Sequence, residues 1–313
     1  MMDERGPSVT AAVVAATLLL LRDDADLGPL IHPPSLAPLE MAVRGVVPAL
    51  GLALDHIPWR ILRRASLAAE KLLSPGFVAH YALRKNAVRA EILRAIDEGH
   101  RQVVLVGAGF DMLGGSLPEG VRVFEVDHPT TQAAKIGALR GTPPRDVTFV
   151  PLDLAVNELG EALARSPGYA RDADTVFVAE GLLMYLTAAR VGALLRDFSG
   201  RGTHRTRSIL TVITPDASGR PRLQSQRRAV DLCMRWLGEP FVWGASRDAI
   251  VSLLAQHGLT AQRIFSTLEV RDSVLHGRAR RRLPRATGEI IVVADGGGAV
   301  DPPASVTRAA RSR

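Results

Sequence analysis

Cysteine is almost missing from this chain, since Cys233 is the only one among 313 residues. That scarcity excludes a disulfide framework and a thiolate metal cluster, and it favours a reducing, cytoplasmic location. Lysine is scarce too: only Lys71, Lys85 and Lys135 occur among 39 basic residues. With 4% aromatic residues there is little material for stacking nucleic-acid bases. The net charge of +7 therefore does not predict a nucleic-acid partner.

No apolar run is long enough to cross a bilayer. The longest candidate, Ala11 to Leu21, has 11 residues and is interrupted only by Thr17, whereas about 20 are needed for a transmembrane helix. Acidic residues precede this run, so it does not resemble a signal peptide. We expect a buried amphipathic helix there and no membrane partner. The histidines are scattered without metal-ligand spacing, so no metal site is expected.

The chain divides into zones of different pattern. Residues 1–100 are helix-like and broken by prolines, which predicts an N-terminal helical cap. Residues 101–295 alternate apolar runs with helical patterns and form the main domain, with a helical lid insertion at about 216–245. The remainder, 296–313, is rich in glycine and proline, ends in basic residues, and is predicted to be a disordered basic tail.

Seven short apolar runs in the main domain are strand candidates. Most are continuous rather than alternating, which indicates burial on both faces and a parallel sheet. Helical patterns lie between them, for example after a predicted cap at Thr187 and another at Ser246. The sequence therefore predicts an α/β fold with a doubly wound, mostly parallel seven-stranded sheet. The candidates are Val103–Val106, Val121–Val126, Thr148–Leu152, Thr175–Ala179, Ser208–Ile213, Ile264–Phe265 and Glu289–Val293.

A glycine loop follows the first strand candidate. Gly107, Ala108 and Gly109 allow a sharp turn at the carboxyl end of the strand, where ligands bind in open α/β sheets. Asp127 ends the second strand eighteen residues after Gly109, where a carboxylate can accept hydrogen bonds from ribose hydroxyls. Met112 stands where a dinucleotide fingerprint requires its third glycine. The loop therefore predicts an adenosine-containing cofactor and disfavours a pyrophosphate.

Three successive strands end in an acidic residue: Asp127, Asp153 and Glu180. Parallel strands place these ends at the same edge of the sheet. Such a row suits a cofactor that has ribose hydroxyls, an adenine amino group and a cationic amino-acid moiety. S-adenosylmethionine has all three.

Three motifs then give a specific resemblance: QVVLVGAGFD at 102–111, FEVDHPTTQ at 124–132 with Lys135, and EGLLMYL at 180–186. In this order and spacing they resemble the leucine carboxyl methyltransferase family, and within it the bacterial O-methyltransferases often linked to polyketide biosynthesis. The resemblance covers roughly residues 80–260. His80 to Lys85 is similar to the arginine segment that precedes the first strand of the family, and Gly244 to Gly258 to its late helix.

The resemblance implies a class I methyltransferase, a Rossmann-like fold, that binds S-adenosylmethionine. By this likeness, the loop at 107–109 lies against the methionine portion of the cofactor and Asp127 binds the ribose. Asp153 and the backbone of Leu154 bind the adenine, and Glu180 contacts the cofactor amino group. Arg84 pairs with a carboxylate of the cofactor or of the substrate, since its guanidinium can bind a carboxylate with two hydrogen bonds. Tyr185 is a weaker candidate for positioning the substrate.

The chain also departs from the family pattern. After the glycine loop the family commonly has threonine and later arginines, whereas residues 112–116 read Met-Leu-Gly-Gly-Ser. Three hypotheses stay open. The first is an O-methyltransferase acting on a small molecule in secondary metabolism, and the second is a protein C-terminal carboxyl methyltransferase. The third, which the change at 112–116 makes plausible, is a non-catalytic cofactor-binding or assembly protein. A carboxylate acceptor needs no general base at neutral pH, because carboxyl groups titrate near about 4. The basic run at 276–285 is read as a solvated loop or as an entry surface for an anionic substrate.

Overall fold

The computed structural model describes residues 6–31, 36–139, 146–200, 204–277 and 286–297. These segments contain a single seven-stranded sheet, which confirms each of the seven strand predictions within a few residues at either end. The strands are β1 (Gln102–Val106), β2 (Arg122–Asp127), β3 (Val147–Pro151), β4 (Thr175–Ala179), β5 (Arg205–Ile213), β6 (Thr260–Ser266) and β7 (Glu289–Gly297).

The strands lie in the order β3-β2-β1-β4-β5-β7-β6. Strands β1 to β5 pair in parallel, whereas β7 runs antiparallel to both β5 and β6. The predicted mostly parallel, doubly wound sheet is therefore confirmed. The order reverses between β1 and β4, so the carboxyl ends of these two strands form the crevice in which such folds bind ligands.

Eleven α-helices flank the sheet within the described part of the chain. The predicted caps are confirmed, since the side chains of Thr187 and Ser246 each accept a backbone N–H at a helix start. His128 caps the helix that begins at Pro129. The helices are α1 (Val9–Leu19), α2 (Leu36–Val46), α3 (Pro48–His56), α4 (Trp59–Leu73), α5 (Phe77–Asp97), α6 (Pro129–Ala138), α7 (Leu159–Arg165), α8 (Ala188–Phe198), α9 (Arg228–Trp236), α10 (Arg247–Gln256) and α11 (Thr267–Val274).

Each face of the sheet is covered by its own group of helices. One apolar cluster joins one face to α1, α2, α5 and α11, and the other joins the opposite face to α7, α8 and α10. In the second cluster the rings of Phe177 and Phe198 stack with centroids 4.8 Å apart. Burial on both faces explains why the central strands carry continuous apolar runs rather than an alternating pattern.

Helix α1 differs from its prediction. It is apolar on all sides rather than amphipathic: Ala12 and Ala15 are buried in the core, while Ala11 and Val14 line a cavity. Among the described residues no single helix has the length and apolar character to cross a membrane. Helices α2 and α3 taken together have the required length and apolar character, but the chain bends by 118° at the break between them.

The C-terminal part brings one further correction. Strand β7 extends to Gly297, so the first two residues of the predicted tail belong to the sheet. The rest of that tail, 298–313, lies outside the described residues, and so do residues 278–285 of the basic run. The predicted lid insertion, at about 216–245, contains helix α9.

Candidate functional site

The loop after β1 is shaped by a glycine that no other residue can replace without strain. Gly107 has φ +71°, a backbone conformation that side chains with a Cβ rarely adopt. A Cβ at this position would also lie 2.9 Å from Cδ1 of Leu182. The N–H groups of Gly107 and Ala108 both donate to the carbonyl of Val126, at 2.8 and 3.2 Å, so β2 holds the loop in place.

Asp127 is fixed to this same loop. Its Oδ2 accepts the N–H of Gly109 at 2.5 Å, and its Oδ1 accepts the N–H of His128 at 2.7 Å. Burial raises the pKa of Asp127, and these two donors offset only part of that rise. The carboxylate is half-buried, so it keeps an open side at the carboxyl end of β2, where the sequence predicts it.

The two other predicted acids lie at the same sheet edge. Asp153 follows β3 and is half-buried; its Oδ1 accepts the N–H of Ala155 at 2.8 Å. The carbonyl of Leu154 accepts a hydrogen bond from Nε of Arg190 at 2.7 Å. Glu180 follows β4, which lies on the other side of β1 from β2 and β3. The row of acids at one edge is thus present, and the roles that the family resemblance assigns to these residues remain predictions.

Helix α5 brings two cations to this edge. Nε of Arg84 donates to Oε1 of Glu180 at 2.9 Å, and Nη1 of Arg84 lies 3.0 Å from both carboxylate oxygens of Glu289. Nζ of Lys85 donates to Oε2 of Glu180 at 3.0 Å and also to the carboxylate of Asp111. The side chains of Arg84 and Glu180 are 8% and 6% exposed. Glu180 is therefore shared by two cations inside the protein.

Sequence reasoning assigned no role to three members of this cluster: Lys85 and Asp111, which it quoted only within motifs, and Glu289, which it quoted only as a strand start. Glu289 begins β7 and is fully buried, with its Oε2 2.6 Å from Nε2 of His80. The other ring nitrogen of His80 lies 2.7 Å from Oγ1 of Thr267. Burial alone would raise the pKa of Glu289, but Arg84 and the hydrogen bond from His80 lower it to about 2. Glu289 is thus ionised at neutral pH, and its carboxylate holds the guanidinium of Arg84 in place.

A second buried ion pair explains the unusual residues 112–116. Nζ of Lys135 donates to Oε2 of Glu125 at 2.6 Å and also to the carbonyl of Asp111. A Cβ at Gly114 would lie 2.5 Å from Oε1 of Glu125, so only glycine fits beside this pair. Met112 and Leu113 are buried in the core. The segment is therefore packed against β2 as a short 3-10 turn instead of starting a polar helix.

The site opens into a cavity of about 570 Å³. Its polar end contains Gly107 to Asp111, Arg84, Lys85, Glu180 and Glu289, and its apolar walls come from α1, α3, α4, α9 and the following loop. Helices α1 and α9 meet across it, where the hydroxyl of Thr10 lies 3.9 Å from Sδ of Met234. Asp127, Asp153 and Leu154 are not part of this wall, so the cavity adjoins the glycine loop and Glu180 rather than the full row of acids.

Two residues considered from the sequence line this cavity. The ring of Tyr185 packs edge-on against Phe241, with centroids 5.5 Å apart, and burial raises the pKa of its hydroxyl. This placement is suited to packing against a substrate, and Tyr185 remains a predicted positioning residue. Cys233, the single cysteine, also lines the cavity and is exposed to solvent.

Comparisons with known proteins agree with this architecture. The leucine carboxyl methyltransferase family model matches residues 43–199. The chain therefore belongs to the leucine carboxyl methyltransferase family, which confirms the resemblance seen in the three motifs. A protein from Parafrankia sp. (strain EAN1pec), named a "putative S-adenosyl-L-methionine-dependent methyltransferase", is 32% identical over 199 residues. A Frankia alni protein with the same type of name is 38% identical over 126 residues.

These matches cover only part of each protein. The Parafrankia alignment spans 62% of this chain and 60% of its relative, and the Frankia alignment 39% and 43%. The crystal structure of a "putative methyltransferase" from Thermobifida fusca covers 94% of this chain and 97% of its own, with a TM-score of 0.55 and 15% identity. This last likeness supports the fold alone.

Proposed function

We propose that this protein is an S-adenosylmethionine-dependent methyltransferase that methylates a carboxylate or a hydroxyl of a small, apolar molecule. The observation that carries the proposal is the juxtaposition of the Gly107 loop, the half-buried Asp127 and the shared carboxylate of Glu180 at the adjacent carboxyl ends of β1, β2 and β4. The names of the Parafrankia and Frankia relatives support the same cofactor.

The residues present fit this cofactor in charge and in hydrogen-bonding capacity. Arg84 and Lys85 contribute two positive charges to the polar end of the cavity, against three carboxylates from Asp111, Glu180 and Glu289. The cluster is thus one charge negative, whereas the cofactor, with a sulfonium, an ammonium and a carboxylate, is one charge positive. Glu180 would bind the ammonium, and Arg84 or Lys85 the carboxylate.

The remaining contacts follow the sheet edge. Asp127 would accept the ribose hydroxyls on its open side, while Gly109 and His128 hold its carboxylate in orientation. Asp153 and the backbone at Leu154 would bind the adenine. The cofactor supplies a methyl group that its sulfonium already activates. What remains for this chain is to exclude water and to align the acceptor, an effect that can supply about 7–11 kcal/mol.

The cavity walls indicate what kind of acceptor is bound. Apolar side chains from α1, α4 and α9 dominate the region beyond the polar end, so the acceptor is apolar in the part that these helices enclose. Arg84 is the cation expected to position an acceptor carboxylate, yet it is already paired with Glu180 and Glu289. Because Arg84 or Lys85 is also assigned to the cofactor carboxylate, at most one of these two cations remains for the acceptor, which weakens the case for a carboxylate relative to a hydroxyl. Secondary metabolism and a cytoplasmic location stay predictions from the sequence.

Calorimetric titration with S-adenosylmethionine and S-adenosylhomocysteine tests the cofactor site. We expect the wild type to bind both, and Asp127→Ala to lose binding. Glu161→Gln, on the exposed surface of α7, removes one carboxylate elsewhere and keeps binding. Thermal unfolding of all three separates loss of the site from loss of the fold. A folded wild type that binds neither compound would contradict the proposal.

An acceptor screen tests the second half of the proposal. Pairs of apolar compounds that differ only in a carboxyl or a hydroxyl group are incubated with cofactor, and the mass gained is measured. Methylation within these pairs supports a small-molecule enzyme and shows which group is used. Methylation only of peptides with a free C-terminal carboxylate would point to a protein carboxyl methyltransferase instead. Binding of the cofactor without methylation of any compound would point to a non-catalytic protein.

A further inference from the structure

The broad apolar side of helix α4 is only partly covered by the rest of the protein. Leu62 and Ser66 line the cavity. On the side facing solvent, Ile61 and Leu72 are 59% and 65% exposed, although each is a large apolar residue. Packing among the described residues therefore does not explain why large apolar side chains stand in solvent on this helix.

Helix α9 repeats this arrangement. Val230 and Met234 line the cavity, while Leu232 and Trp236 are 64% and 85% exposed. The two helices meet where the N–H of Arg227 donates to the carbonyl of Leu73 at 2.9 Å. The solvent-facing sides of these two adjoining helices are here called the outer face, whose apolar members are Ile61, Leu72, Leu73, Leu232 and Trp236.

The outer face is also strongly positive. Five exposed cations lie on the same two helices, and none of them forms an ion pair with a described residue. The two acids of these helices are engaged elsewhere: Glu70 accepts the N–H of Val78 at the start of α5, and Asp231 pairs with Arg222 at 3.1 Å. The cations are Arg60, Arg64, Lys71, Arg228 and Arg235.

A second cavity adds to the positive charge beside α9. It has a volume of about 360 Å³, and its charged lining is four arginines, among them Arg228 and Arg235, with Asp231 as the acid. Nε of Arg222 is buried there without a hydrogen-bond partner among the described residues. A cavity rich in guanidinium groups is suited to a phosphate, which can accept several of their hydrogen bonds.

We propose that the outer face binds the surface of an anionic phospholipid bilayer. Apolar side chains between unpaired cations are the pattern of helices that lie in a membrane interface, with apolar groups among acyl chains and cations among headgroup phosphates. A second copy of this chain is a poorer partner, because five like charges would face five. A nucleic acid could stack a base on Trp236 but offers no apolar partner for Ile61, Leu72 and Leu232. This inference departs from the sequence expectation of no membrane partner, which rested on the lack of a spanning segment.

The proposal does not depend on the proposed function, because binding is measured without cofactor or acceptor. The full chain is sedimented with vesicles of phosphatidylglycerol and with vesicles of phosphatidylcholine. We expect binding to the anionic vesicles, weak binding to the neutral ones, and loss of binding at high salt. Arg228→Gln with Arg235→Gln should weaken binding roughly 20- to 30-fold, from about fivefold for each charge removed.

Two further variants separate this surface from general attraction to a basic protein. Arg165→Gln with Arg196→Gln removes two exposed arginines from α7 and α8 and should leave vesicle binding unchanged. Trp236→Phe should keep binding but lose most of the blue shift in tryptophan emission that the wild type shows on anionic vesicles. Equal binding to both vesicle types, an equal effect of both arginine pairs, or a blue shift produced by self-association without vesicles would each overturn the proposal.

Discussion

Nη1 of Arg84 lies 3.0 Å from both carboxylate oxygens of Glu289, so helix α5 is tied to the first residue of β7. Arg84 reaches Glu180 with its other bond, and Glu180 in turn binds Lys85. The amino-acid end of the proposed cofactor site is thus built on a buried ion-pair network that depends on Glu289, a residue far from the glycine loop in the sequence.

The first prediction concerns this pair. Glu289→Gln leaves the guanidinium of Arg84 with one carboxylate instead of two, and we expect it to lower the free energy of unfolding by about 3–5 kcal/mol at neutral pH. The pKa of Glu289 is about 2 in the folded protein against an ordinary value of 4.5. Its contribution is therefore complete above about pH 4.5 and is lost as the pH falls towards 2.

Urea unfolding of the wild type and Glu289→Gln across this pH range checks the prediction. The difference between them should be largest at neutral pH and shrink below about pH 4.5. Glu161→Gln, an exposed carboxylate on α7, serves as the control and should show no comparable change. A difference that stays constant down to low pH would mean that the ionised form of Glu289 is not what stabilises Arg84.

The second prediction concerns the buried pair behind residues 112–116. Lys135→Met leaves the carboxylate of Glu125 buried without its cation, and we expect a loss of about 3–5 kcal/mol. Burial already raises the pKa of Glu125, and removing Lys135 raises it further. Stability of Lys135→Met should thus fall as the pH rises above about 4.5, since a raised folded-state pKa favours the protonated form.

Glu125→Gln in the Lys135→Met background provides the matched comparison. The double variant should recover about 1–3 kcal/mol at neutral pH, because an amide is less costly to bury than an unpaired carboxylate. Its stability should also lose the pH dependence of the single variant. If urea unfolding shows that the double variant is less stable than Lys135→Met, the second substitution adds to the first loss, and the pair does not act as a unit.

The third prediction separates strain from contact at the glycine loop. Gly107→Ala introduces a Cβ at positive φ and 2.9 Å from Leu182, whereas Gly120→Ala has a similar φ of +81° with nothing within 4 Å. Both should be destabilised by about 1–2 kcal/mol of backbone strain, and Gly107→Ala by more. Only Gly107→Ala should weaken S-adenosylhomocysteine binding in calorimetry. If the two variants lose the same stability and the same binding, the contact with Leu182 does not shape the loop.

The fourth prediction concerns the cavity wall. Ser66→Phe fills part of the cavity from α4, and we expect acceptor methylation to fall at least tenfold while S-adenosylhomocysteine binding stays unchanged. Ala65→Phe, on the solvent side of the same helix, adds an equal volume outside the cavity and should leave both properties intact. Steady-state rates and calorimetry on the two variants check this. Equal rates would place the acceptor elsewhere.

Much of the fold was predictable because its signals are local. The continuous apolar runs of Val103–Val106 and Thr175–Ala179 indicate strands buried on both faces, and Thr187 and Ser246 mark helix starts. The row Asp127, Asp153 and Glu180 followed from strand ends alone, since parallel strands bring those ends to one edge. These inferences needed no knowledge of how distant segments meet.

The contacts that complete the site depend on such distant meetings and could not be predicted. Glu289 appears in the sequence only as the start of an apolar strand, and nothing local indicates that it faces His80 and Arg84. Met112 and Gly114 look like a departure from a polar helix start, until β2 places Glu125 beside them. The exposure of Trp236 likewise depends on how α9 lies over the cavity.

The contact between position 107 and position 182 has a consequence for how this family can diverge. Leu182 occupies the space that a side chain at 107 would need, so a residue other than glycine there requires the Leu182 side chain to shift or to be smaller. Among relatives, a residue other than glycine at 107 should be accompanied by a smaller residue at 182. In a combinatorial library randomised at both positions, the active clones should show the same correlation, with glycine at 107 wherever a branched residue is retained at 182.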